Sequence, residues 1–136
     1  MNPGQLVETY KFWDVAALWA AERVENELVI ARAMARGIIV DGLRFQSADA
    51  RWLKANRSLT GYPYVGFTAD PDKPPVLFRA EALEHLLSVV RQGSVPSRDI
   101  LTEEFVRRED FRAWLAATKQ PLPSFWYTDQ ERKLEV

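Results

Sequence analysis

The sequence predicts a helix-rich α+β domain with short β-hairpins. The main observation is a pattern that occurs twice, over residues 30–55 and 86–117: an apolar helix ending at Arg-Gly or Gln-Gly, an extended stretch, and a helix containing Trp-Leu. The two copies are either a duplicated unit or a coincidence of common helix-ending residues. A 136-residue chain that is 47% hydrophobic can bury one core, so we expect a single domain over 1–128, with 7–68 and 76–128 as candidate sub-units.

Two helices are predicted in the first 37 residues. Aromatic and alanine residues at three- and four-residue spacing predict a helix over 7–25 whose aromatic side chains are mostly buried. Asn26 is predicted to cap a second helix over 27–36. Gly37 is predicted to end that helix in the left-handed conformation.

A hairpin and a third helix are predicted next. The β-branched run Ile38-Ile39-Val40, followed by Asp41-Gly42, is typical of a strand entering a two-residue turn. The return strand would be 43–45. Ser47 is then a suitable N-cap for a helix over 48–56.

The second half begins with two short extended segments, 64–68 and 76–78, around the proline-rich connection 69–75. An apolar stripe at helical spacing predicts a helix over 79–92, which Gly93 ends.

A further helix is predicted from Thr102 or Arg107 to Thr118. After it, Phe125-Trp126-Tyr127 is predicted to return to the core as an apolar clamp. Residues 129–136 are charged, and we expect them to fray.

Several pieces of the chain resemble segments of small bacterial proteins from prophages and integrative elements. The matching pieces are Val15-Ala16-Ala17-Leu18-Trp19, Arg91-Gln92-Gly93, Arg108-Glu109-Asp110-Phe111-Arg112-Ala113-Trp114-Leu115 and Pro123-Ser124-Phe125-Trp126. Their order is similar to that of the excisionase and MerR-like winged-helix units of mobile elements. The resemblance implies a winged-helix-like, helix-turn-helix arrangement and a mobile-element accessory protein that binds DNA as a regulator or excisionase-like factor.

The charge distribution indicates where DNA would bind. The net charge is only −1, but residues 31–58 hold six basic and two acidic side chains (6 − 2 = +4), whereas residues 1–30 hold two basic and five acidic ones (2 − 5 = −3). Clustered cations attract phosphates whatever the base sequence. The predicted DNA-contacting residues are Arg32, Arg36, Arg44, Arg51, Lys54 and Arg57. The alternative is that these cations pair with the acidic segment or are simply solvated.

Five tryptophans suggest a second function class, a protein-binding module such as an adaptor or an inhibitor of a host defence or other host system. Trp19, Trp52 and Trp114 are predicted to be core residues. Aromatic residues beside chain breakers are better interface candidates, since tryptophan and tyrosine are enriched at interfaces. These candidates are Tyr62, Tyr64, Phe67 and Trp126. A homodimer is a further option under either function.

The sequence contains no pattern typical of catalysis. There is no cysteine, and the one histidine, His85, is insufficient for a multi-histidine metal site. The carboxylate pairs Glu103-Glu104 and Glu109-Asp110 are interpreted as charges near helix N-termini. We therefore expect no enzyme activity, no catalytic residues, no cofactor and no metal. No signal-peptide pattern or apolar membrane-spanning run is present, so the expected location is the cytoplasm.

Overall fold

The computed structural model describes residues 7–49 and 64–134. These residues form an α+β fold in which two antiparallel strand pairs accompany a helical core. The elements in chain order are β1 (Thr9–Lys11), α1 (Phe12–Arg23), α2 (Glu27–Arg36), a π-helical segment (Gly37–Asp41), β2 (Tyr64–Phe67), β3 (Val76–Arg79), α3 (Ala80–Gln92), β4 (Phe105–Arg107), α4 (Arg108–Ala117) and α5 (Asp129–Leu134).

The two strand pairs have different roles. β2 and β3 form the hairpin predicted around the proline-rich connection, with Tyr64 opposite Arg79 and Phe67 opposite Val76. β1 and β4 come from distant parts of the sequence, and Tyr10 lies opposite Val106. Because the pair is antiparallel and each strand runs directly into a helix, α1 and α4 begin at opposite ends of the pair, where the N–H groups of Phe12 and Arg108 donate to the carbonyls of Glu104 and Glu8 (2.9 Å each).

Local signals predicted most helix ends correctly. The Asn26 side chain accepts a hydrogen bond from the backbone N–H of Leu28 (2.8 Å), as a cap of α2 should. Gly93 adopts the left-handed conformation after α3 (φ 67°). The first helix begins at Phe12 rather than at residue 7, because Thr9–Lys11 pairs with β4.

The hairpin predicted over Ile38–Phe45 is wrong. Gly37 is right-handed (φ −57°), so the chain continues from α2 into a π-helical turn, and the left-handed residue is Gly42 (φ 84°). The reason for a glycine at position 37 is space: a Cβ there would lie 2.8 Å from Cζ2 of Trp114. The indole therefore packs directly on the helical backbone, and the predicted hairpin does not form.

The core contains most of the aromatic residues, as predicted. Trp19 and Trp114 are 4% and 5% exposed and meet edge to face, with ring centroids 6.1 Å apart. The segment Phe125-Trp126-Tyr127 is buried, which confirms the apolar clamp. Trp52 lies outside the described residues.

The prediction that the C-terminal segment frays is wrong for Asp129–Leu134, which forms α5. Glu131 of this helix binds the Arg108 guanidinium (2.6 Å from Nη2 and 2.8 Å from Nη1). Arg108 also donates to the carbonyl of Trp126 (2.9 Å) and lies over the Tyr127 ring (4.5 Å to its centroid). One arginine thus fastens α5 and the apolar clamp to α4.

The segment that follows the π-helical turn is tied to β3 by a buried carboxylate. Glu104 is 1% exposed and receives two hydrogen bonds from Arg79, at 3.0 Å from Nε and 2.9 Å from Nη2. The Ser47 hydroxyl donates to the same carboxylate and accepts from the Arg79 N–H (2.9 Å). Ser47 and Ala48 are not helical, and the rest of the predicted third helix, 50–56, lies outside the described residues.

Candidate functional site

A groove with a volume of about 420 Å³ lies between α2 and α3. Its walls are Val29, Arg32, Ala33 and Arg36 of α2 and Val89, Val90 and Gly93 of α3. The α2 residues recur at three- and four-residue spacing, so they share one face of that helix. We call this feature the α2–α3 groove.

The floor and one wall of the α2–α3 groove are apolar. Val89 is buried and contributes to the core, whereas Val90 is half-buried and Ala33 is exposed. Val29 is 45% exposed, although removing a valine side chain from water is favourable. A single exposed valine is ordinary, but a groove combining these side chains offers contiguous apolar surface to a partner.

The charged wall of the α2–α3 groove consists of Arg32 and Arg36. Both are exposed, and neither forms an ion pair or side-chain hydrogen bond with another residue in the described ranges. Glu27, the acid at the start of α2, is occupied by Arg98 (2.8 Å), which also stacks over Trp13. The two positive charges are therefore not neutralised by their own helix.

Of the three predicted DNA-contacting residues that the structure describes, two lie together, Arg32 and Arg36. Arg44 does not line the α2–α3 groove; it is half-buried and donates a hydrogen bond to the carbonyl of Pro74 (2.7 Å). Arg51, Lys54 and Arg57 lie outside the described residues.

The aromatic interface candidates have different environments. Trp126 is fully buried and donates from Nε1 to the Val7 carbonyl (2.6 Å), so its prediction as an interface residue is wrong. The nearby prolines suggested exposure, but the clamp turns inward against Tyr10 and Phe111. Tyr64 and Phe67 are half-buried in β2, and Tyr62 lies outside the described residues.

A second concave feature lies between the π-helical segment with its following residues, the β2–β3 hairpin and α4. Its volume is about 240 Å³, and we call it the hairpin cleft. Asp41, Arg44, Asp70, Lys73 and Asp110 supply its charges, and Phe67 and Trp114 supply aromatic surface. None of its lining residues also lines the α2–α3 groove.

The roles of two acidic residues could not be found from the sequence. Glu104, read as a charge near a helix N-terminus, is the buried partner of Arg79. Glu22 of the acidic first helix accepts from the backbone N–H groups of Ser124 and Phe125 (2.9 and 2.8 Å). Both contacts join distant parts of the chain, which spacing along the sequence does not reveal.

His85 has a structural contact. Its Nε2 accepts a hydrogen bond from the backbone N–H of Ser97 (3.0 Å), and burial lowers the pKa of the imidazole. Within 7–49 and 64–134, no three acidic or histidine side chains are placed to hold a metal ion. Across the same ranges, none of the helices has both the length and the apolar character needed to cross a membrane.

No family model matches the chain, and no significant match was found among curated proteins or solved structures. The resemblance to mobile-element DNA-binding units therefore stays a prediction.

Proposed function

We propose that the chain is a protein-binding module whose α2–α3 groove holds an acidic amphipathic helix of a partner protein. The observation that supports this most directly is that two arginines, Arg32 and Arg36, lie beside an apolar groove and have no ion-pair partner in the described residues. Apolar side chains of the partner would enter between Val29 and Val90, and its carboxylates would face the two guanidinium groups.

The charge pattern favours an acidic partner. Arginine binds carboxylates through paired N–H donors, and such pairs give orientation and specificity in addition to affinity. Arg32 and Arg36 are four residues apart on one helix, so they repeat along the groove at the interval of one helical turn. Acidic side chains four residues apart on a partner helix would match that interval.

The size of the groove favours a short helix. Val29 and Arg36 are seven positions apart, or about 10 Å along the helix axis, which corresponds to two turns. Helix-in-groove recognition uses apolar anchors at i, i+3 or i+4, and i+7, so two turns accommodate the minimal set of anchors.

The test uses a fluorescein-labelled helical peptide with leucines at these anchor positions and glutamates on both flanks. Its controls are a peptide of the same composition with the leucine spacing scrambled and a peptide with lysines in place of glutamates. We expect the acidic peptide to raise the fluorescence anisotropy and to shift the NMR signals of Val29, Ala33 and Val90. Equal binding of the scrambled peptide would overturn the proposal, as would no binding at all.

Matched variants locate the contact. Arg32→Glu with Arg36→Glu is expected to weaken binding by at least about tenfold, which is about 1.4 kcal/mol. Lys119→Glu with Lys133→Glu makes the same change of net charge at two exposed positions outside the groove and should leave binding unchanged. If this second pair of reversals weakens peptide binding as much as the first pair, the attraction is only a net-charge effect and the groove is not the site.

Duplex DNA is the second candidate, because the same two exposed arginines suit phosphates. A mixed-sequence duplex measured across a salt series, with the variants above, separates the two functions. Val29→Ser removes apolar surface without changing charge, so it should weaken the peptide and leave any DNA affinity unchanged. Tight, strongly salt-dependent duplex binding that is insensitive to Val29→Ser, with no peptide binding, would favour DNA.

A further inference from the structure

The hairpin cleft contains charged groups that the fold itself does not use. Asp110 lies in the first turn of α4 and shares one helix face with Ala113, Trp114 and Ala117, which also line the cleft. It is half-buried, yet no hydrogen bond or ion pair joins it to another described residue. Lys73, on the opposite hairpin, also has no side-chain partner within those ranges.

The unpaired state of Asp110 is unfavourable. Desolvation raises the pKa of its carboxyl group and the charge of Glu109 adds to this rise, whereas the charges of Arg44, Arg107 and Lys73 lower it. A positively charged ligand group beside the carboxylate would compensate for the solvation that the carboxylate loses on burial.

A further buried donor lacks a partner. Trp114 lines the hairpin cleft, and its indole Nε1–H has no hydrogen-bond acceptor in the described part of the chain. The indole edge that carries this N–H packs against Gly37, so a ligand in the cleft would contact the ring rather than the N–H. Within the same cleft, Arg44 already donates to Pro74 from one nitrogen, and its other N–H groups remain available to an anion.

The hairpin side of the cleft is held in a defined conformation. The Thr68 hydroxyl donates to the Asp70 carbonyl (2.6 Å), and Asp70 Oδ1 accepts from the Asp72 N–H (3.0 Å). The opposite side includes the π-helical turn, a conformation that is frequent at functional sites. The charged groups of the cleft are thus carried by a hairpin turn and a helical turn with defined conformations.

From this arrangement we propose that the hairpin cleft binds a small zwitterion of amino-acid type. The ligand ammonium group would lie beside Asp110, and its carboxylate would face Lys73 and Arg44. The side chain would pack on Phe67 and Trp114. A volume of about 240 Å³ is below the range of about 300–1,000 Å³ typical of drug-sized ligands, so the occupant is small.

The first experiment compares three molecules of similar shape: leucine, 3-methylbutylamine and 4-methylpentanoic acid. Each is added to the full chain in calorimetric titrations, and the indole N–H signal of Trp114 is followed by NMR. Other amino acids are then tested to define side-chain preference. We expect at least one amino acid to bind about tenfold more tightly than the matching amine and acid and to shift the Trp114 signal.

Variants test the assigned contacts. Asp110→Asn and Lys73→Gln are expected to weaken the zwitterion by at least about tenfold each. Asp72→Asn, on the same hairpin but outside the lining, should have no effect. Lys119→Gln provides the matching lysine control. Thermal unfolding of each variant without ligand shows whether a loss of binding is only a loss of fold.

Three outcomes would overturn the proposal. In the first, no amino acid binds at millimolar concentration. In the second, the amine or the acid alone binds as tightly as the zwitterion. In the third, Asp110→Asn binds as well as the parent chain while remaining folded. None of these depends on the α2–α3 groove, so the two proposals succeed or fail separately.

Discussion

Two regions of the described chain use arginine differently. In the region around β3 and α4, Arg79 and Arg108 each hold a carboxylate through two nitrogen donors, and each carboxylate comes from a distant part of the sequence. Beside the α2–α3 groove, Arg32 and Arg36 have no such partner in the described ranges. We call these the paired and the unpaired arginines. The paired arginines stabilise the fold, whereas the unpaired arginines leave their charge available for binding.

The largest effect is expected from breaking the most buried pair. Arg79→Met leaves the 1%-exposed Glu104 without its guanidinium partner, and an isolated buried carboxylate is costly. We expect the free energy of unfolding, measured by urea denaturation, to fall by about 3 kcal/mol. The double variant Arg79→Met with Glu104→Gln should recover part of this loss, because no charge then remains buried. A loss below about 1 kcal/mol for Arg79→Met would contradict a stabilising role for the paired arginines.

The contribution of the second paired arginine, Arg108, to stability is expected to depend on pH. The side-chain hydrogen bonds from Arg108 lower the pKa of Glu131 from 4.5 to about 2 in the folded chain. A lowered pKa means that the unfolded chain takes up the proton first, so this stabilisation is present above about pH 4.5 and is lost as the pH falls towards 2. The shift corresponds to about 3 kcal/mol, which solvent screening of the partly exposed pair reduces to about 2 kcal/mol.

Urea denaturation of the parent chain and Glu131→Gln, from pH 6 to 2.5, measures this contribution. The difference in unfolding free energy between the two proteins should shrink steadily as the pH falls below 4.5. A difference that stays constant with pH would mean that Glu131 stabilises α5 by packing and neutral hydrogen bonds rather than by its charge.

The two regions also differ in how well the sequence predicted them. The exposed face of α2 followed from three- and four-residue spacing and from the Asn26 cap, which are local signals. The opposite wall, Val89 and Val90, belongs to a helix that meets α2 only in the folded chain, so the α2–α3 groove itself could not be predicted. The paired arginines were missed for the same reason, since each ion pair joins residues far apart in sequence.

The clearest errors arose where tertiary packing overrides local preference. β-branched residues and Asp-Gly at 38–42 are typical of a hairpin, but the Trp114 indole packs on Gly37, and the chain continues as a π-helical turn. Prolines beside Trp126 suggested an exposed aromatic, but the Val7 carbonyl accepts its indole N–H inside the core. In both cases a contact between a tryptophan and a distant part of the chain determines the outcome, and spacing along the sequence contains no sign of it.

The smallest effect on stability is expected at the unpaired arginines. Arg32 and Arg36 are like charges four residues apart, an arrangement that destabilises a helix by about 0.2–0.5 kcal/mol, and alanine is the best helix former. Arg32→Ala should therefore be neutral or slightly stabilising, and Arg36→Ala should change the unfolding free energy by no more than about 0.5 kcal/mol. A loss above about 1 kcal/mol at either position in urea denaturation would mean that these arginines support the fold and would remove the distinction between the two regions.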